Sequence, residues 1–296
     1  MARRMLLDTS SLFYRAFFAL PASITDPKGR PVNALHGYLD MVARLFRERK
    51  PDGIVHCLDD DWKPAGRVAS YEGYKADRNE EPDELTAQFE VLGQVLEAAG
   101  MAQAWAPEWE AEDAIGTLCA QAPKRDRIDI VTGDRDLLQL VRDPGVRVLI
   151  TRKGVSDLGE MDETAVEEKY GIPPARYVDF AILRGDPSDG LPGVMGVGEK
   201  TARALVLAYD SLDDMLEDAR APSARRKPLK GSPGLKARLA GAAEYIDSMR
   251  DVVPIRTDLE VVIEESAGDD AKLDRLAKAR RLESPVRRLR EARGGS

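Results

Sequence analysis

The chain reads as an α/β protein: a mostly parallel central sheet flanked by helices, followed by a smaller helical subdomain. Three observations lead there. Short apolar runs rich in Ile, Val and Leu alternate with helical periodicities over residues 4–150, as in strand–helix–strand units. Asp8, Asp60 and Asp134 each stand at the end of such a run, and ligands of parallel sheets gather beyond the carboxyl ends of the strands. After Arg152 the pattern changes to helical segments interrupted by glycine and proline.

Residues 4–7 form a short buried strand that ends at Asp8, and Thr9, Ser10 and Ser11 are helix-start residues. Residues 12–20 are apolar and aromatic, and most of Phe13, Tyr14, Phe17 and Phe18 serve core packing. A loop over 21–31 precedes a helical period at 33–49, with Leu35, Leu39, Val42, Leu45 and Phe46 inward. A second strand, 54–58, runs into Asp59-Asp60-Asp61. A polar, weakly periodic stretch follows with Arg67, Tyr71, Tyr74, Lys75 and Arg78, then a helix over 84–99 and a short strand over 101–105. The strand 127–132 leads into Gly133-Asp134-Arg135-Asp136, where a helix begins, and 146–150 is another strand. Helices are expected over 162–170, 174–183, 201–209 and 235–250, with a mobile loop at 221–234 and an extended segment at 252–263. Residues 272–293 are basic and helical in part; nucleic-acid contact and a solvated tail are both open there.

At 296 residues the chain holds one large domain or two smaller ones. It has no apolar run of about 18 residues, so no membrane-spanning helix is expected. The basic N-terminus leads straight into a strand and lacks a signal peptide's apolar region. Cys57 and Cys119 sit in apolar surroundings as reduced core residues, which fits a cytoplasmic protein. His36 and His56 show no ligand spacing and pair with no Ser or Cys nucleophile.

The densest functional signal is Glu110-Ala111-Glu112-Asp113, three carboxylates within four residues. Like charges this close raise one another's pKa unless a cation lies among them, and hard oxygen ligands suit Mg²⁺ or Mn²⁺. Alone, the cluster could be an acid-rich first helical turn favoured by the helix dipole. The other acids at strand ends, with Asp136, Asp186 and Asp189, favour a metal site. A net charge of −8 argues at first against a nucleic-acid partner. Setting nine metal-site acids aside reduces the 52 acidic residues to 43, against 44 basic ones. The glycines of the 193–198 turn permit a tight hairpin before a helix start, and exposed amides there bind phosphate without reading sequence.

In combination these motifs resemble the 5′-nuclease, or flap endonuclease, family, above all the bacterial 5′–3′ exonuclease domain found in DNA polymerase I and as free-standing proteins. The motifs are Leu7-Asp8-Thr9-Ser10, Tyr74-Lys75-Ala76-Asp77-Arg78, Glu110-Ala111-Glu112-Asp113, Val131-Thr132-Gly133-Asp134-Arg135-Asp136 and Gly185-Asp186-Pro187-Ser188-Asp189. The resemblance spans residues 5–265. It implies a PIN-like α/β core over 1–180 with an arch segment near 62–100, a helix–three-turn–helix subdomain over 181–265, and a basic tail over 266–296. The implied metal ligands are Asp8, Asp60, Glu110, Glu112, Asp113, Asp134, Asp136, Asp186 and Asp189, with Asp60 chosen by its spacing to Arg67, Lys75 and Arg78. They would hold two or three Mg²⁺ or Mn²⁺ ions, the first metal by the five acids up to Asp113 and the second by the other four.

Lys75 and Arg78 are the implied catalytic cations on the scissile phosphate. DNA contacts carry over to Arg67, Lys75, Arg78, Gly193, Val194, Gly196, Val197, Gly198, Lys200 and Thr201, with K⁺ at the hairpin. Departures are Glu112 where the family has Asp, Gly190 for Asn, Asp59 for Phe and Arg184 for Met. The implied activity is metal-dependent 5′–3′ exonuclease and flap endonuclease cleavage by a stand-alone monomer, in primer removal and repair. Its substrates would be DNA with 5′ flaps, nicks, gaps or free 5′ ends, and RNA–DNA hybrid. A non-catalytic binder of branched DNA and a metal-dependent ribonuclease are the rivals.

Overall fold

The computed structural model describes residues 2–78 and 81–294; residues 79 and 80 of the expected arch and the last two of the expected tail lie outside it. The central strand β1 (Arg3–Asp8) buries Met5, Leu6 and Leu7 completely or nearly so, as a strand covered on both faces must. It pairs in parallel with β2 (Gly53–Cys57) on one side and β4 (Arg127–Thr132) on the other. β3 (Ala102–Trp105) extends the sheet beyond β2, and β5 (Val146–Thr151) beyond β4. Antiparallel strands close both edges: β6 (Leu158–Met161) on β5 and β7 (Val262–Glu264) on β3. The order of the seven strands is β6-β5-β4-β1-β2-β3-β7. Strand order therefore reverses between β1 and β4, and the carboxyl ends there border the crevice where such sheets bind ligands.

Helices α1 (Thr9–Ala19), α2 (Asn33–Arg49) and α4 (Asp83–Ala98) pack on one face of the sheet. Asp8 caps α1 by accepting from the Ser11 amide at 3.2 Å, so the last strand residue also starts the helix. On the other face lie α5 (Ala111–Gln121), α6 (Glu163–Tyr170) and α7 (Tyr177–Arg184). They share a core with α8 (Glu199–Ala208), α9 (Leu212–Arg220), α10 (Pro233–Gly241) and α11 (Ala243–Val252). Among the described residues no helix is long and apolar enough to cross a membrane.

Several expectations need correction. The helix expected at Asp136 is a single 3₁₀ turn, Asp136–Leu140. Strand β6 and helix α9 lie outside every predicted element, and the expected helix at 235–250 breaks at Ala242. The arch segment shrinks: α3 (Ala65–Ser70) is ordered, and α4 buries Leu85, Val91, Leu92, Val95 and Leu96 in the core. The basic tail is neither solvated nor separate. Helices α12 (Asp270–Arg280) and α13 (Glu283–Gly294) bury Leu273, Ala277, Val286 and Leu289, Leu282 is buried between them, and α13 lies along α2. Its charges meet acids within the protein: Arg288 with Asp40 at 2.7 Å, Arg280 with Asp26 at 3.2 Å, Lys272 with Glu97 at 2.7 Å.

Candidate metal centre

Beyond the carboxyl ends of the strands lies a cavity of about 860 Å³. Asp8, Asp59, Glu110, Glu112, Asp134 and Asp189 line it, together with Lys75 and Arg78. Each acid comes from a connection the sheet aims at the same place. Asp8 ends β1, Asp59 follows β2, Glu110 and Glu112 begin α5 after β3, and Asp134 follows β4. Asp189 arrives from the one-turn helix Pro187–Asp189. Gly190 makes that approach possible: at φ +73° it lies against the Gly73 carbonyl, where an added Cβ would come within 2.2 Å. The Lys75 amide then donates to the Asp189 carbonyl at 2.9 Å, tying the arch base to this loop.

Crowding of carboxylates sets the electrostatics. Burial pushes the Asp8 carboxyl up to about 7; the Thr132 hydroxyl, donating at 2.6 Å, works against it, while Asp59 and Asp134 add repulsion. Burial raises Asp59 as well, opposed by the Ala111 amide at 2.7 Å. Glu112 is held well above the usual carboxylate range by burial and by Glu110, Asp113 and Asp134, with Arg67 opposing. Asp136 is raised by burial and then by Asp134, Asp186 and Asp189. Its buried Oδ1 has no hydrogen-bond partner among the described residues. Burial also raises Asp189, against the pull of Lys75 and Arg78. Asp186 differs: burial would raise it, but Arg135 at 2.6 Å and Ser188 outweigh that and hold it below the usual range.

The cations are already engaged. Lys75, 5% exposed, donates to Glu110 Oε1 and to the Trp62 carbonyl at 3.2 Å. Glu110 Oε2 accepts from Arg67 and, at 2.6 Å, from the Tyr74 hydroxyl. Arg78 is half-exposed and reaches Asp189 at 3.3 Å.

The structure thus brings Asp8, Glu110, Glu112, Asp134 and Asp189 to one cavity, with Asp136 behind Asp134. It does not bring Asp60. That residue is exposed, and its Oδ2 accepts from the Glu108 amide at 2.7 Å. Its neighbour Asp59 lines the cavity instead, and its Oδ1 accepts from the Ala111 amide at 2.7 Å. Arg67 is likewise displaced from its expected role at DNA: at 1% exposure no phosphate reaches it. Asp113 is fully buried and bonds Arg67 and the Arg256 amide, away from the cavity.

At the 193–198 hairpin, Val194 and Val197 point inward, and the amides of Gly193, Val194 and Val197 are taken up by Tyr245, Leu183 and Val194. Met195, Gly196, Gly198 and Lys200 are exposed. Thr201 is half-buried, and its amide bonds the Gly198 carbonyl at 3.0 Å. The open face is therefore the Met195–Gly196 tip and the uncapped start of α8.

Residues 3–171 match the family described as the N-terminal resolvase-like domain of 5′-3′ exonucleases, and residues 172–275 match the C-terminal SAM fold of the same proteins. The chain belongs to the 5′-3′ exonuclease family. A 5′-3′ exonuclease of Streptomyces coelicolor is 42% identical over 302 residues, covering 96% of this chain and 98% of its own. One of Mycobacterium tuberculosis is 40% identical, covering 97% and 96%. DNA polymerase I of Mycobacterium bovis is 43% identical over 84% of this chain, which spans 27% of the polymerase. Among solved structures, the T5 D15 protein co-crystallised with metal ions superposes with a TM-score of 0.65 at 16% identity, covering 97% of this chain and 99% of that one. Human GEN1 in complex with Holliday junction DNA gives a TM-score of 0.62 at 16% identity, covering 97% and 71%. The last two share the fold. As a member of the family the chain is a nuclease with a carboxylate centre suited to divalent metal.

Proposed function

We propose that this 5′ nuclease cuts DNA at 5′ flaps, nicks, gaps and free 5′ ends with Mg²⁺ or Mn²⁺ in the carboxylate cavity, leaving 5′-phosphate and 3′-hydroxyl products. The observation that carries this reading is the convergence of Asp8, Asp59, Glu110, Glu112, Asp134 and Asp189, from five connections, on one cavity that Lys75 and Arg78 also line. The donor set is all oxygen, which suits a hard divalent cation. The unpartnered Asp136 Oδ1 and the raised Asp8 carboxyl fit the same need for positive charge.

Asp8, Asp59, Glu110 and Glu112 would hold one ion, and Asp134 and Asp189 a second, with Asp136 and Asp186 supporting them. Bound there, the metal supplies activation of water and charge relief on the leaving 3′ oxygen. Lys75 and Arg78 would meet the scissile phosphate once they exchange Glu110 and Asp189 for it, offsetting its growing charge. The exposed hairpin tip and α8 start would hold duplex phosphates without reading bases. A K⁺ ion shared between the hairpin and a phosphate belongs to the same reading. So do action as a monomer, work at the nucleoid in the cytoplasm, and tolerance of RNA–DNA hybrid.

Cleavage mapping on 5′-labelled flap, nicked, hybrid and single-stranded substrates tests it. Cleavage near the flap junction should appear with Mg²⁺ or Mn²⁺ and stop in EDTA. Undiminished cleavage by metal-free protein would overturn the metal assignment; tight flap binding without any cutting would make the chain a branched-DNA binder.

A further inference from the structure

We infer that Arg67 is a positioning residue and the built-in counter-ion of the acidic cluster, gathering Glu110, Glu112 and Asp113 and leaving Asp113 outside the metal-binding set. The inference rests on the metal-nuclease reading above. Glu110, Glu112 and Asp113 each offer an oxygen within 4.8 Å of the others, a spacing that by itself suits a metal ion. One guanidinium already serves all three. Arg67 Nη1 bonds Glu110 Oε2, lies 3.1 Å from Glu112 Oε1 and donates to Asp113 Oδ2 at 3.0 Å. Its Nη2 donates to Asp113 Oδ1 at 2.8 Å and reaches the Pro254 carbonyl at 3.4 Å. The rings of Tyr74 and Trp109 lie 5.8 and 5.7 Å from the guanidinium carbon.

The three acids do not use this cation alike. Asp113 has both oxygens on Arg67, and its Oδ1 also takes the Arg256 amide at 2.9 Å. It is 0% exposed and does not line the cavity. Glu110 and Glu112 do line it while meeting Arg67. Asp113 therefore clamps Arg67, and Arg67 orients the two glutamates toward the cavity. Arginine suits the task, since its planar fork serves several carboxylates at once and keeps its charge when buried. The Pro254 and Arg256 contacts bring the segment leaving α11 into the same clamp.

Removing a ligand and removing a counter-ion have opposite consequences for metal affinity. Loss of a ligand weakens it; loss of a neighbouring cation leaves the carboxylates more negative and strengthens it. Mn²⁺ titration of metal-free protein, read by the spectroscopic signal of free Mn²⁺, separates the two for wild type, Arg67→Met, Arg67→Lys and Asp113→Asn. Arg67→Met should bind Mn²⁺ about tenfold more tightly, or bind one further ion, yet cleave roughly 10²-fold more slowly because the glutamates lose orientation. Arg67→Lys should return Mn²⁺ affinity to the wild-type value and recover part of the rate. Asp113→Asn, which keeps the shape of the clamp, should hold Mn²⁺ within about twofold of wild type. Weaker Mn²⁺ binding by Arg67→Met, or a loss of about tenfold or more in Asp113→Asn, overturns the inference. If Arg67→Met fails to fold, Arg67→Lys and Asp113→Asn still decide it. A wild type that takes up no Mn²⁺ overturns the metal reading and the inference together, whereas wild-type uptake with weakened Asp113→Asn overturns only the inference.

Discussion

On the Glu110 side of the cavity, each acid meets donors that the fold supplies: Arg67 bonds Glu110 and Asp113 and pairs with Glu112, and Lys75 and Tyr74 complete Glu110. On the Asp134 side, Arg135 and Ser188 satisfy Asp186, but Asp136 keeps a buried oxygen without a partner and is pushed up by three neighbouring aspartates. Both regions crowd carboxylates at strand ends. The first region offsets much of that charge internally, through Arg67 and Lys75; the second leaves more of it for a divalent cation to relieve. The chemistry should therefore depend most sharply on the second region, and the stability of the metal-free protein on the first.

The largest expected effect is on rate. Asp134→Asn should slow single-turnover flap cleavage in Mn²⁺ by about 10³-fold or more. Its DNA affinity in Ca²⁺ should hold or rise, because a negative charge near phosphate is removed. A wild-type rate would break the comparison by taking Asp134 out of the metal site.

The same variant sharpens the comparison when set beside Glu110→Gln. Glu110 faces two buried cations, so neutralising it should cost metal-free protein about 3–5 kcal/mol. Asp134→Asn should leave metal-free stability unchanged or raise it. Denaturant unfolding in EDTA measures both, and equal losses would mean that the two regions are neutralised alike.

A smaller effect concerns pH. The Asp8 carboxyl lies at about 7 in the folded protein against an ordinary 3.8. Between those values the folded state binds more protons than the unfolded chain, so Asp8 makes stability fall as pH rises through the window and then level off. Buried His56, pulled down to about 3, slopes the other way, and it cancels when wild type is compared with Asp8→Asn. In EDTA, Asp8→Asn should gain stability relative to wild type as pH rises from about 4 to about 7. A loss of stability by Asp8→Asn relative to wild type over that range would show Asp8 to be stabilised in its charged form.

Much of this site was legible in the sequence. Asp8 and Asp134 follow short apolar strands, and strand ends at a reversal of strand order converge, so their position could be argued from periodicity alone. Asp59 could not be distinguished from Asp60, because a run of three aspartates after β2 offers the same chemistry at each position. In the fold Asp59 lines the cavity, while Asp60 accepts from the Glu108 amide at 2.7 Å. Arg67 was read as a DNA contact for another reason: an arginine in a polar stretch reads as surface, and its three partners lie 43–46 residues further along the chain. In α12 and α13 a high density of Lys and Arg concealed a sparse apolar face formed by Leu273, Ala277, Val286 and Leu289.

The most direct measurement compares Asp59→Asn with Asp60→Asn, single-turnover on a 5′-labelled flap in Mn²⁺. The two residues are adjacent and chemically identical, but only Asp59 lines the cavity. If the cavity is the nuclease centre, Asp59→Asn should lose about 10³-fold in rate while Asp60→Asn stays within about twofold of wild type. A severe loss in Asp60→Asn with Asp59→Asn near the wild-type rate would contradict the account.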